Sequence, residues 1–310
     1  MGAQSKILIM CGLNNDQNFD QVWINNKIKE ISQQVSDMNN EQKLFWLWKA
    51  ITFIDLTALN ENETLESIQN LCLKAIKPID VGDAMKSSSS PPEPLHPAGI
   101  CIYNERVQDV MDCLENHDAR QYISVVTVAG DFPSGKSLFN VRLQQVVDAV
   151  KLEVDEIDVV IDRSLVMTHD WDELLNQLSK MKQACENKLM KTILSVGDLP
   201  SLNHVYKTSM VAMAAGSNFI KTSTGKELIN ATLPVGIVMC KAIKDYKKLT
   251  GKKVGLKPAG GIKTSVEALE WMLLVKQELG EEWLNKESFR LGASSLLDNI
   301  IKTITELSHN

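Results

Sequence analysis

Phe219-Ile220-Lys221-Thr222-Ser223-Thr224-Gly225-Lys226 and Val254-Gly255-Leu256-Lys257-Pro258-Ala259-Gly260-Gly261 are built alike. Each is a short apolar run that carries one lysine and then breaks into small, glycine-bearing residues. Continuous apolar runs read as strands buried on both faces, the condition of a parallel sheet. Within these two segments the expected strands are Phe219 to Ser223 and Val254 to Pro258. Working outward, the same kind of run recurs at Ile51 to Leu56, Gly99 to Tyr103, Ile123 to Val128, Glu156 to Ile161, Lys191 to Val196 and Phe289 to Ala293. Amphipathic stretches separate the runs. One opens on the capping box Thr264-Ser265-Val266-Glu267, places Leu269, Met272, Leu273 and Leu279 on one face, and stops at Gly280. Eight strands, each followed by a helix, predict an α/β fold closed as a (β/α)8 barrel. An open doubly wound sheet fits less well, because no GxGxxG turn follows the first strand.

Ahead of the first strand, residues 17–49 read as helix. Ile24, Ile28, Ile31, Val35 and Met38 line one face, as expected of a helix packed over the end of the main domain. The expected organisation is an N-terminal helical extension over residues 1–45 and a barrel over 46–310. The stretch Lys86 to Pro97, rich in serine and proline, reads as a loop dispensable for chemistry.

The 310 residues, 44% hydrophobic, suffice for one large core. Lys and Arg number 33 against 39 Asp and Glu, a net charge of -6, so nucleic acid and anionic lipid repel the chain and neither is expected as a partner. The six cysteines form no CxxC pair and read as reduced thiols. The five histidines are scattered, so no metal site is expected, and no cofactor. The apolar run Ile7 to Met10 is too short for a membrane span, and Met1-Gly2 lacks the serine or threonine of a myristoylation signal. The expected location is the cytoplasm.

In such a barrel the active site forms at the C-terminal ends of the strands. Lys221 and Lys257 lie there on consecutive, adjacent strands about 4.8 Å apart. A lone strand lysine is ordinarily half of a structural ion pair. Two at matched positions crowd like charge into a poorly solvated volume, which favours one neutral amine. A neutral lysine attacks carbonyls and forms Schiff bases. Asp158 on strand four and Asp55 on strand one are carboxylates amid apolar neighbours, suited to pair a lysine and to move protons. Gly260 and Gly261 after strand seven, with Ser294 and Ser295 opening a helix after strand eight, read as an anion cradle where barrels commonly hold phosphate. Cys101 on strand two stands beside the expected pocket, as a spectator to the chemistry.

Six motifs carry a resemblance to a known family. FIKTSTGK (Phe219 to Lys226), KPAGGI (Lys257 to Ile262), LGASSLL (Leu291 to Leu297), EIDVVI (Glu156 to Ile161), FIDLTALN (Phe53 to Asn60) and GICIY (Gly99 to Tyr103) are similar to those of deoxyribose-phosphate aldolases, eukaryotic-type members above all, over residues 45–300. The resemblance implies a TIM barrel that reversibly cleaves 2-deoxy-D-ribose 5-phosphate to acetaldehyde and D-glyceraldehyde 3-phosphate without metal or cofactor. It implies Lys221 as the Schiff-base lysine and Lys257 as the neighbouring ammonium. Asp158 would be the acid/base that works with a water. Thr224, Gly225, Lys226, Gly260, Gly261, Ser294 and Ser295 would surround the phosphate, with Asp55 and Cys101 counted among the substrate-binding residues. Two departures stand out. No tyrosine follows Tyr246, which leaves proton transfer at the acetaldehyde carbon to Asp158 and water. Strand five ends Ser195-Val196-Gly197-Asp198 where the family usually has Thr-Gly-Glu.

Two readings of other classes stay open on the residues: a phosphosugar isomerase with no covalent intermediate, and a non-catalytic phosphosugar-binding barrel. A homo-oligomer is compatible with all three, and no residue pattern sets the number of copies.

Overall fold

The computed structural model describes residues 16–79 and 95–308. The Ile7 to Met10 run and most of the Lys86 to Pro97 loop lie outside the described residues. Eight parallel strands follow one another around a barrel: β1 Ile54–Ala58, β2 Gly99–Ile102, β3 Ser124–Ala129, β4 Glu156–Val160, β5 Leu189–Ile193, β6 Phe219–Lys221, β7 Gly255–Lys257 and β8 Leu291–Ala293. β1 pairs with both β2 and β8, and the bridges Leu256 to Phe289 and Ala259 to Gly292 join β7 to the β8 side. The (β/α)8 barrel read from the apolar runs is therefore the fold.

The outer layer is helical. α1 Gln21–Asp37 and α2 Asn40–Ile51 precede β1, and α3 Leu65–Ile76 follows it. α4 Val107–Asn116, α5 Phe139–Lys151, α6 Arg163–Met167, α7 Trp171–Ala184, α8 Leu202–Ala214, α9 Leu233–Thr250, α10 Ser265–Leu279 and α11 Leu296–Ser308 come in order after it. The capping box at Thr264 and Glu267 is made, and Gly280, at φ 99°, follows the end of α10. Among the described residues no helix is long and apolar enough to cross a membrane.

Most strand ends differ from the sequence expectation by one or two residues, and three larger differences each have a local reason. Residues 17–49 form two helices, because the Asn39 side chain accepts from the Gln42 amide while Gln42 reaches back to the Asn39 amide. That capping box starts a new helix at Asn40. β1 begins at Ile54 rather than Ile51, since α2 buries Leu44, Leu47, Trp48 and Ile51 as a helical stripe. β5 begins at Leu189 and ends at Ile193, short of Val196, because Ser195 adopts φ 52° and turns the chain.

Ile24, Ile31 and Val35 of α1 join the same apolar shell as the outward faces of the strands. Inside the barrel Leu59, Cys101, Val126 and Val128 form a small apolar cluster of their own. Charged side chains occupy much of the rest, and they make the site.

Candidate active site

Strand alternation sends every second side chain inward. On that face lie Asp55 of β1, Glu156 and Asp158 of β4, Lys191 of β5, Lys221 of β6, Lys257 of β7 and, just before β8, Arg290. Lys221 and Lys257 are direct partners across β6 and β7, as are Asp158 and Lys191 across β4 and β5. The Lys221 Nζ and the Lys257 Nζ both donate to the same oxygen, Asp158 Oδ2, at 2.8 Å each. Lys191 donates to Asp158 Oδ1 at 3.0 Å and pairs with Glu156. Lys257 also meets Asp55 at 2.5 Å. Arg290 closes the cluster, with Asp55 at 2.6 Å and Glu156 at 2.7 Å. Glycines on the inward face leave room for these groups. A Cβ on Gly292 would come within 3.2 Å of the Lys257 side chain, and one on Gly99 within 3.4 Å of Asp55.

Four basic groups thus face three carboxylates, and the cluster is neutral when one amine carries no proton. Burial acts to strip Lys257 of its proton, but Asp158 and Asp55 outweigh it and raise its affinity for the proton. Lys191 is raised in the same way, by Asp158 and Glu156 against burial. Burial favours neutral Asp158, yet Lys191, Lys221 and Lys257 hold its carboxyl well below the usual range. Asp55 is lowered against burial by Lys257, Arg290 and Lys191. Crowding of two ammonium groups was the expectation from sequence. In the barrel a carboxylate lies between them, so Lys257 keeps its charge.

These directions set a pH window. The depressed carboxylates stabilise the fold fully above about pH 3.9, and that contribution is lost as the pH falls through their lowered native values. The raised lysines contribute fully below about pH 10.4 and lose that contribution as the pH rises through their raised values. Thermal unfolding followed across pH should show no loss from the cluster between about pH 5 and 9 and a falling midpoint below about pH 4.

Above the cluster opens a cavity of about 230 Å³. That lies below the roughly 300–1,000 Å³ of drug-sized sites, so it suits a small ligand. Lys221, which keeps 3% exposure, lies on its wall. So do Thr224, Gly225, Lys226, Gly260, Gly261, Ser294 and Ser295. Gly260 and Gly261 take φ 80° and 84°, a left-handed turn open to glycine. The Thr222 hydroxyl ties this turn to β6 by accepting from the Ala259 amide at 2.9 Å and donating to the Ala259 carbonyl at 3.1 Å. α11 starts directly after Ser295, which leaves helix-terminal N–H groups beside the cavity.

Not every nominated residue reaches that space. Lys257 and Asp158 lie just beneath it, behind Lys221, and are fully buried. Asp55 is engaged by Lys257 and Arg290 below the cavity and does not line it. Cys101 sits in the apolar group under Leu59, its thiol pushed up by burial, and is likewise off the cavity wall. Thr224 and Gly225 line the cavity, but their amides are already bonded to Glu227.

The sequence reading passed over Lys191, Glu156 and Arg290 in the cluster. It also passed over Thr57, Asn60 and Lys263 on the cavity wall. The first three carried a usable signal, since each is a charge inside or at the edge of an apolar strand, where desolvation demands a partner. Lys263 stands one residue beyond the Gly-Gly turn, after Ile262, and offers a second cation to an anionic ligand.

A model of the DeoC/LacD family aldolases matches residues 49–301. The deoxyribose-phosphate aldolase of Mus musculus is 48% identical over 267 residues, 86% of this chain and 83% of its own. That of Homo sapiens is 46% identical over the same shares. A crystal structure from Toxoplasma gondii, 21% identical, superposes with a TM-score of 0.74, covering 87% of this chain and 97% of that one, and carries the fold alone. A chain matched over nearly its whole barrel, and close to half identical to curated relatives, belongs to the DeoC/LacD family of aldolases: it is a class I, Schiff-base carbon–carbon lyase.

Proposed function

We propose that this protein cleaves 2-deoxy-D-ribose 5-phosphate reversibly to acetaldehyde and D-glyceraldehyde 3-phosphate, with Lys221 as its nucleophile. The observation that carries the assignment of roles is the shared Asp158 oxygen between Lys221 and Lys257, at the floor of a cavity lined with anion-binding groups. Of the three lysines, Lys221 has the fewest carboxylate contacts and alone lies on the cavity wall. It attacks the aldehyde carbon of the open-chain sugar as a free amine, and loss of water leaves an iminium. The iminium takes the electron pair of the C2–C3 bond as the C3 hydroxyl gives up its proton. D-glyceraldehyde 3-phosphate departs, the enamine is protonated at C2, and water releases acetaldehyde.

The charge state of each neighbour allots the proton work. Asp158, held ionised, is a base and a conduit; Lys257, held protonated, is the standing acid. Lys226 and Lys263, with the Gly260–Gly261 and Ser294–Ser295 amides, receive the phosphate. We further read residues 1–45, of which 1–15 lie outside the described residues, as an extension that is helical from Gln21 and precedes a catalytic barrel of 46–310, in keeping with the family match from residue 49. We place the protein in the cytoplasm, in deoxyribose phosphate catabolism, consistent with its five free described cysteines and its negative charge.

Borohydride added with acetaldehyde is expected to trap a reduced adduct on Lys221, read by peptide mass spectrometry. An adduct on another lysine removes Lys221 from its role. No adduct at all favours an isomerase or a binding protein.

A further inference from the structure

The loop after β6 holds an anion of its own. Glu227 folds its carboxylate back onto the loop and accepts from the Thr224 amide at 3.0 Å, the Thr224 hydroxyl at 2.7 Å and the Gly225 amide at 3.1 Å. Successive N–H groups converging on one anion form the kind of nest that takes phosphate in other proteins. Burial raises the Glu227 pKa, but the Thr224 donors outweigh it and hold the carboxylate below its usual range.

The same segment is wedged between two neighbouring loops. A Cβ on Gly197, after β5, would lie 1.8 Å from the Ile229 carbonyl oxygen, and one on Gly260, after β7, 2.6 Å from the Asn230 side chain. Asn230 in turn donates to the Glu227 carbonyl at 2.8 Å, and the Ala231 amide to the Gly260 carbonyl at 3.3 Å. Ser195-Val196-Gly197-Asp198, the departure noted on strand five, is therefore the surface against which this loop is set. Lys226 stands between Gly225 and Glu227, on the cavity wall.

We infer that Glu227 is a positioning residue: it fills the anion seat of the β6 loop, so the substrate phosphate is received by Gly260, Gly261, Ser294, Ser295, Lys226 and Lys263, and the Thr224 and Gly225 amides take no part. The inference rests on the aldolase reading above. It assigns to an internal carboxylate the donors that the motif alone would give to the ligand. With the seat filled, the loop is set before substrate arrives, and Lys226 is held at the phosphate side of the cavity.

The test compares Glu227→Ala and the near-isosteric Glu227→Gln with the wild type, using 2-deoxyribose 5-phosphate, unphosphorylated 2-deoxyribose, and inorganic phosphate by calorimetry. For Glu227→Ala, orphaned donors and a loosened Lys226 should raise KM for the phosphorylated sugar about tenfold or more and weaken inorganic phosphate by a similar factor. Its kcat should stay within about threefold, and kcat/KM for 2-deoxyribose within about twofold, because neither depends on the phosphate wall. Glu227→Gln, which keeps size and one acceptor, should fall between. A lower KM and tighter inorganic phosphate in Glu227→Ala would mean that phosphate takes the seat itself, and overturns the inference. Equal losses on both sugars, or no change on either, also overturn it. Failure of the aldolase reading is a separate result, since the wild type would then cleave neither sugar.

Discussion

Lys221→Met is expected to remove aldol cleavage while leaving the barrel as stable as before. A thioether has no nitrogen to form a C=N bond and no proton to lose, so neither carbinolamine nor iminium forms. Loss of a covalent nucleophile should cost about 10⁴-fold or more in kcat, and borohydride trapping should find no adduct. The stability half follows from the charge count. Without Lys221 the cluster holds Lys191, Lys257 and Arg290 against Asp55, Glu156 and Asp158, and so is balanced. Asp158 keeps two ammonium partners, at 2.8 and 3.0 Å. The thermal midpoint should therefore hold or rise. Activity within a hundredfold of wild type, or an adduct that moves to Lys257, would show that carbonyl attack does not belong to Lys221.

Asp158→Asn should fail on both counts. The carboxylate is the common partner of Lys191, Lys221 and Lys257, and none of these is more than 3% exposed. Its loss leaves four basic groups against Asp55 and Glu156 in a site almost closed to solvent, where the excess is poorly screened. Removing one partner of a buried ion pair costs about 3–5 kcal/mol, which in a chain of this size lowers the midpoint by roughly 5–10 °C. Removing the base that sits between acid and nucleophile should cost a further factor of about 10²–10⁴ in kcat. Scanning calorimetry and steady-state kinetics on the same preparation separate the two effects. An asparagine variant that melts like the wild type would show that the three ammonium groups do not depend on this carboxylate.

The local pattern along the chain already carried the barrel and half of its site. Short apolar runs marked the strands, and the charges set within four of them, among them Asp55, Asp158, Lys221 and Lys257, stood out as candidates for the site. Sequential strands pair as neighbours, so the match of Lys221 with Lys257 was legible as well. The boundaries were less so. An apolar stretch such as Ile51 to Phe53 serves a helix end or a strand start equally well, and it was the packing of Leu47, Trp48 and Ile51 that settled it. The Asn39 and Gln42 capping box was a signal present in the residues and outweighed by the longer stripe.

Contacts across the barrel had no such marker. Arg290 reaches Glu156 over 134 positions of chain and Asp55 over 235, and closure of the sheet alone brings them together. The same holds for the single oxygen of Asp158 shared by two lysines, and for the Glu227 carboxylate seated where the motif would put a phosphate. Inward direction is a property of one strand and its period. Which inward groups share a proton is set by the barrel's circumference, along which charges far apart in sequence must find partners because water cannot reach them.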